Sequence, residues 1–304
     1  MSKLRMKMRN MVALAICLAA TSVVFTACDK DNAQKNALNI AAINSNSSKI
    51  VTKHLKSMEG KAFPIDCYVF STITFDTRNN SYGYADCNGI YHFIDVETGE
   101  EIKRIPLPVG LGFVELDMAR NRLIGHYYND GKDYVVSIDL NSGNVVSNKP
   151  FYDDGLWNGM VSFFRSVENE YVLLHPDNGL VFINPSTGNI NRTLNIESTC
   201  ILNVVYDSKN NRIIGITCVS EIGENHIVTI DLNTGKTLSK KRCEGVGSDF
   251  SFVGGEMDYD AESNSYILIS ANEVLFFDIA TGKVKEKYQL DFDVTSLKVW
   301  RNRK

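Results

Sequence analysis

From about residue 38 onward the chain alternates short apolar runs with polar turns. In VVSIDLNSGNVV (135–146), apolar residues lead to an Asp, a polar turn containing Gly follows, and a second apolar run leaves it. The pattern recurs as HFIDVETGEEI, VFINPSTGNI, IVTIDLNTGKTL and LFFDIATGKV. Runs rich in Val, Ile and Phe, bounded by Asp, Asn, Thr and Gly, read as strand, turn, strand. The turn glycines are Gly99, Gly143, Gly188, Gly235 and Gly282, spaced by 44, 45, 47 and 47 residues. A fixed period of this size marks a repeat architecture. Gly supplies the positive φ of a tight turn, and the Asp before it (Asp95, Asp139, Asp231, Asp278, with Asn184 in the third copy) is placed to accept turn amides.

A second turn recurs upstream of each of these. FDTRNNSYGYA, LDMARNRLIGH, YDSKNNRIIGI and YDAESNSYILI place an Asp four residues before an Asn. The remaining copy, FRSVENEYVLL, keeps Asn169 and has Arg165 at the Asp position. Asn80, Asn121, Asn169, Asn211 and Asn264 suit a position in the left-handed region. SLKVWRNRK, with Asn302, reads as a sixth copy.

Each repeat therefore holds four strands, which at this period is one blade of a β-propeller. Five blades are complete between about residues 66 and 290. FDVTSLKVW supplies a further inner strand, and LNIAAINSNSSKIVTKHL reads as the Thr-Gly hairpin missing from it, with Asn46-Ser47-Ser48 in the turn. The expected fold is all-β: six four-stranded antiparallel blades, the ring closed by pairing the N- and C-terminal strands so that no sheet edge is left at the junction.

At the level of one blade, FVELDMARNRLIGHYY followed by YVVSIDLNSGNVV resembles the YVTN-type and PQQ-like repeats of the WD40-like propellers. The resemblance rests on the Asp-x-x-Thr-Gly turn and the strand order. It implies fold more than function, since such folds host many roles. Quinoprotein repeats of this type carry a Trp four residues after the Gly. Here those positions are Lys103, Ser147, Arg192, Ser239 and Glu286, so no quinone or other cofactor is expected.

The N-terminus changes the picture. MSKLRMKMRN carries Lys3, Arg5, Lys7 and Arg9 with no acid, and the uncharged run MVALAICLAATSVVF follows. This reads as a secretory signal, being shorter than the roughly 20 residues of a spanning helix. Phe25-Thr26-Ala27-Cys28 resembles the bacterial lipoprotein signal, which implies cleavage after residue 27 and lipidation of Cys28. The expected organisation is signal 1–27, anchor and linker 28–37, and a single propeller 38–304. The expected location is a bacterial envelope, at the outer membrane, with the membrane reached through the lipid. No acid precedes Cys28 and four basic residues do, so the formal charge moves from −4 for the whole chain to −8 for the cleaved one. That argues against a nucleic-acid partner, which needs a basic face.

Candidate chemistry is sparse. His54, His92, His126, His175 and His226 show no metal-like spacing, and packing or surface roles are expected. DYDAESN (258–264) alternates Asp258, Asp260 and Glu262, yet has Ser263 where a Ca²⁺ loop needs Gly. No phosphate loop and no GxSxG elbow occur, so no catalytic residue and no metal site is assigned. Export makes disulfides chemically possible. Cys200 and Cys218 sit symmetrically about one Asn turn and form a candidate bridge, and Cys67 and Cys87 flank the equivalent turn of the first blade.

In this strand order the Asn and Thr-Gly turns share one face, the turn face. The connections between blades, and those between second and third strands, share the other, the loop face. Sequence variation concentrates on the loop face, where a regular scaffold carries binding residues. Tyr128 and Asp130 in one loop, with Asp153, Asp154 and Trp157 in a neighbour, combine an aromatic platform with acids. They are the expected ligand-binding residues for a protein, peptide or glycan. The function expected is a binding or protein-interaction module. The alternatives are a lyase or hydrolase with a central-channel site and a structural subunit of an envelope complex.

Overall fold

The computed structural model describes residues 38–44, 49–65, 73–153, 161–175, 179–197, 201–219, 224–245, 257–270 and 272–301. Three strands come first: β1 (Leu38–Asn44), β2 (Lys49–His54) and β3 (Gly60–Pro64). Blade 1 is β4 (Thr74–Asp76), β5 (Ser81–Ala85), β6 (Ile90–Asp95) and β7 (Glu101–Pro106). Blade 2 is β8 (Gly112–Asp117), β9 (Arg122–Asn129), β10 (Lys132–Asp139) and β11 (Val145–Asp153). Blade 3 is β12 (Ser162–Arg165), β13 (Glu170–Leu174), β14 (Gly179–Ile183) and β15 (Ile190–Asn195). Blade 4 is β16 (Ile201–Asp207), β17 (Arg212–Val219), β18 (Glu224–Asp231) and β19 (Thr237–Arg242). Blade 5 is β20 (Asp258–Asp260), β21 (Ser265–Ser270), β22 (Glu273–Asp278) and β23 (Val284–Gln289), and β24 (Val294–Arg301) follows.

The sheets are six, each of four antiparallel strands, and the sixth has the order β24-β1-β2-β3. First strands of successive blades touch around the ring, β24 against β4 closing it. The expected six-bladed propeller closed by its terminal strands is therefore the fold.

One detail of the closure differs from the sequence reading. The hairpin of β1 and β2 is not the Thr-Gly hairpin; it lies one place further in, and β3 is the outer strand. The reason is burial. Every residue from Leu38 to Ile43 is buried, as in the second strands β5 and β13, whereas β3 is exposed along most of its length. The turn segment Asn46-Ser47-Ser48 and Asn302 lie outside the described residues.

Packing occurs between blades, in six apolar layers that each straddle one seam. Burial is least in the outer strands: β5 and β13, second in their blades, are buried throughout, while β15, β19 and β23 are mostly exposed. The outer strands carry Lys and Arg (Lys103, Arg192, Lys240, Lys241, Lys285), which discourages edge-to-edge pairing.

The turn chemistry is as the sequence implies. Asp95 Oδ1 accepts the amides of Glu97 and Thr98 at 2.9 and 2.7 Å, and Asp139 and Asp231 do the same in their blades; Asn184 Oδ1 accepts the Ser186 amide at 2.9 Å, and its backbone oxygen takes the Thr187 amide. These hydrogen bonds hold Asp139 and Asp231 below the usual carboxylate range. Gly235 and Gly282 have φ of 72° and 77°, and a Cβ on either would lie 2.0 or 2.2 Å from a backbone oxygen of the preceding blade's outer strand. Both the turn and the seam exclude a side chain there.

The Asn turns join neighbouring blades. Asn80, Asn121, Asn169, Asn211 and Asn264 all have φ between 47° and 55°. Four of them accept, at Oδ1, an Arg of the preceding blade: Arg78 to Asn121, Arg122 to Asn169, Arg165 to Asn211 and Arg212 to Asn264. The same Arg residues neutralise buried carboxylates, Arg122 on Asp117 at 2.9 Å and Arg212 on Asp207 at 2.8 Å. Blade 3 inverts the order. Arg165 stands where the others have Asp, and Glu170 stands where blades 2 and 4 have Arg; the two pair at 2.5 Å, both buried.

Candidate functional site

The predicted loop site falls on blade 2. β9 and β10 are joined by Asn129-Asp130-Gly131, in which Asp130 (φ 48°) and Gly131 (φ 78°) both have positive φ. That is a tight hairpin turn, and Asn129 Nδ2 donates to Asp130 Oδ2 at 3.0 Å. Asp130 is thus a turn residue with its carboxylate at the surface. Tyr128, one step earlier, is 57% exposed. Asp153, at the end of β11, is exposed and pairs with Lys132 at 3.2 Å. The register sets Tyr128, Asp133 and Tyr152 opposite one another across three strands, on one side of the sheet. Tyr152 is also exposed at 37%. Two tyrosines and two acids therefore share the loop end of this blade. Asp154 and Trp157 lie outside the described residues.

Beneath Tyr128 is a pair that sequence reading did not single out. His126 Nε2 donates to Asp133 Oδ1 at 2.7 Å, and both residues are buried. Phe151 meets the imidazole edge-on at 5.8 Å, and Phe113 lies at 6.3 Å. Burial among these rings lowers the His126 pKa, and the Asp133 hydrogen bond and charge oppose that without overcoming it. The imidazole is therefore neutral near pH 7, with its tautomer set by the carboxylate. Asp133 Oδ2 has no partner among the described residues. The signal for this pair is a spacing of seven residues across an Asn-Asp-Gly turn. It acquires meaning once the hairpin register is known.

Phe113, in the inner strand, has φ 52° and sits in a β-bulge. Its carbonyl accepts the Tyr171 hydroxyl of blade 3 at 2.6 Å. Blade 4 repeats the device, with Asn203 (φ 53°) and Tyr266 of blade 5. Burial holds both phenols far above the ordinary range. These bulges present the carbonyls that the next blade's tyrosines cap, and so help to fix how blades 2 and 3, and blades 4 and 5, meet.

The other candidates resolve into structural parts. Asp258 accepts the Val299 amide at 2.7 Å and Asp260 pairs with Arg301, so DYDAESN ties blade 5 to blade 6. Among the described residues no group of His, Cys, Asp and Glu has the arrangement of a metal site. His92 bridges Asp86 and Glu101 at 3.3 and 3.1 Å. Cys87 is disulfide-bonded, and Cys243 is a buried free thiol whose pKa burial raises to about 12. Ile201 pairs with Thr217, next to Cys218; Cys200 and Cys67 lie outside the described residues.

No protein-family model matches the chain, and no curated protein matches it by sequence. By fold, 1474 solved chains match, which is the breadth expected of a scaffold shared among unrelated roles. One is dihydro-heme d1 dehydrogenase NirN in complex with DHE, with a TM-score of 0.52 and 12% sequence identity. The match covers 84% of this chain and 64% of that one, so this chain spans less than two thirds of its neighbour. At this identity the likeness is one of fold: this chain is a β-propeller protein.

Proposed function

We propose that this protein is exported, lipidated at Cys28 and held at a bacterial outer membrane as a binding module. Its loop face takes a protein, peptide or glycan. The observation that carries this reading is where the chain enters the ring. Leu38 pairs with Arg301 at the turn-face end of blade 6, so the ten-residue linker 28–37 joins the propeller on the turn face. Fully extended, such a linker spans at most about 35 Å. An anchor on that side turns the loop face away from the bilayer, and with it the exposed Tyr128, Tyr152, Asp130 and Asp153. Exposed tyrosines are low-entropy contact surfaces, and the nearby acids favour a basic or hydroxyl-bearing partner.

Fractionation tests the anchor: the Cys28→Ser chain should leave the membrane fraction for the soluble one, and a variant that stays with the membrane contradicts it. Capture from native envelopes tests the binding face, with Tyr128→Ala and Trp157→Ala abolishing recovery of the partner.

A second reading, a hydrolase or lyase, is favoured by one observation, the buried His126–Asp133 pair. In it His126 takes a proton and Asp133 holds the tautomer. His126→Gln would then abolish turnover while leaving capture intact.

A further inference from the structure

Cys87 stands at the loop end of blade 1, in the turn Asp86-Cys87-Asn88-Gly89 between β5 and β6. The turn is built to hold it outward. Asp86 is buried and accepts the amides of Asn88 and Ile90 at 3.0 and 2.7 Å, and Gly89 takes the positive φ, 76°. Asp86 also meets His92 at 3.3 Å, which ties the turn to β6. Cys87 itself is exposed, and its sulfur is in a disulfide. The order of the blades points to its partner.

Six other cysteines could take that bond. Cys243 is excluded as a buried free thiol. Cys218 is in β17 and Cys200 immediately precedes β16, so both belong to blade 4. First strands touch in the order of the blades, which sets blade 4 three places from blade 1 in either direction. A disulfide needs its Cα atoms within about 7 Å, and opposite blades do not approach so closely. Cys17 and Cys28 precede Leu38, which pairs with Arg301 on the turn face, the side away from Cys87.

Cys67 remains. It lies outside the described residues, but the residues around it are well placed. β3 runs toward the loop face, and Ile65 just after it is buried in the same apolar layer as Ile73 and Tyr84. Two steps along the chain keep the Cα of Cys67 within about 8 Å of that of Ile65. Cys87 is three residues past Tyr84, at the same end of the same seam.

We propose that Cys87 is bonded to Cys67, and that this bond staples blade 6 to blade 1 at the loop end of their seam. It fastens β1, β2 and β3 to blade 1, and so holds β1 where β24, from the other end of the chain, adds to it. Forming the bond takes two electrons and two protons from the two thiols. A disulfide oxidant accepts them by thiol–disulfide exchange and leaves as two thiols. An exposed disulfide persists in an oxidising compartment, so the bond supports the export proposed above without resting on it, on the lipid or on the loop-face partner.

Peptide mapping tests the pairing. The purified full-length chain is equilibrated with oxidised and reduced glutathione, so that the outcome is independent of where the cell places the protein. Free thiols are then alkylated in denaturant and the chain is cut with trypsin. The expected product is a disulfide-linked pair of peptides, 62–78 with 79–103. Cys87 found alkylated, or linked to any other peptide, overturns the proposal. Thermal melts test the staple: Cys67→Ala and Cys87→Ala should each lower the melting temperature by about 5–10 °C, and the double variant should fall no further. Falls that add in the double variant overturn it, as does either single variant melting like the wild type. If an alanine variant does not fold, the peptide map decides.

Discussion

The two faces of this propeller use polar residues in opposite ways. On the turn face, in blades 2 to 4, the buried charge at the end of each inner strand is matched. Asp117 and Asp207 meet Arg122 and Arg212, Arg165 meets Glu170, and each guanidinium also reaches the next blade's Asn. On the loop face of blade 2, Tyr128 and Tyr152 stand exposed, and Asp130 and Asp153 carry surface charge above a buried His–Asp pair. The repeating residues hold the ring together, and in the function proposed here the non-repeating ones are left for recognition. Stability and binding should therefore respond to different substitutions.

The sharpest break comes from blade 3. Arg165→Ala leaves Glu170 buried without its partner and removes the link to Asn211. It should cost about 3–5 kcal/mol, read from urea unfolding. Exchanging the pair, Arg165→Asp with Glu170→Arg, restores the order of blades 2 and 4 and should recover most of that loss. A double variant no better than the single one would show that the pair is not a swapped copy of its neighbours. Next in size, Tyr171→Phe removes the hydroxyl that caps the Phe113 carbonyl across the seam. Ser162 Oγ also approaches that oxygen at 3.3 Å, so the expected cost is about 1 kcal/mol by the same assay.

Acid separates two groups of residues. The folded-state pKa of His126 is lowered, chiefly by burial. Its contribution to stability is present above the unfolded value of about 6.5 and is lost as pH falls below it, because the unfolded chain binds the proton more tightly. For Asp76, Asp207 and Asp260, burial acts to raise the pKa, but hydrogen bonds and charge from Arg78, Arg212 and Arg301, with Asn and Ser neighbours, bring it below the ordinary value. Their contribution is present above about pH 4 and is lost as pH falls through the folded values. Urea midpoints should thus decline in two steps, and His126→Gln should remove the upper one alone. A single step below about pH 4 in the native chain contradicts the assignment of the buried imidazole. The smallest effect on stability belongs to Tyr128→Ala, expected within about 0.5 kcal/mol because the side chain is mostly in solvent.

The ring was legible because its signals are local. A Gly or Asn at positive φ, with an Asp a few residues before it, is one hairpin long, and five copies leave little room for another period. The Arg165 departure was visible too, but its meaning lay five residues on, at Glu170, and in the neighbouring blades. The closure was read one strand out of place because no Thr-Gly marker labels β1, β2 and β3; only the depth of burial does. His126–Asp133 needed the hairpin register, and the pairing of Trp300 with Asn39, 261 positions apart in sequence, needed the ring closure. Asp154 and Trp157 remain expectations from sequence.

The most direct measurement of the division between faces is capture from native envelopes with two matched surface variants. Val167, in the Asn turn of blade 3, is 91% exposed on the turn face, and Tyr128 is 57% exposed on the loop face. With the wild-type chain as bait, a specific partner should be recovered. Val167→Ser should retain it and Tyr128→Ala should lose it, both baits melting within a few degrees of wild type. Retention by Tyr128→Ala with loss by Val167→Ser would place recognition on the turn face and contradict the account.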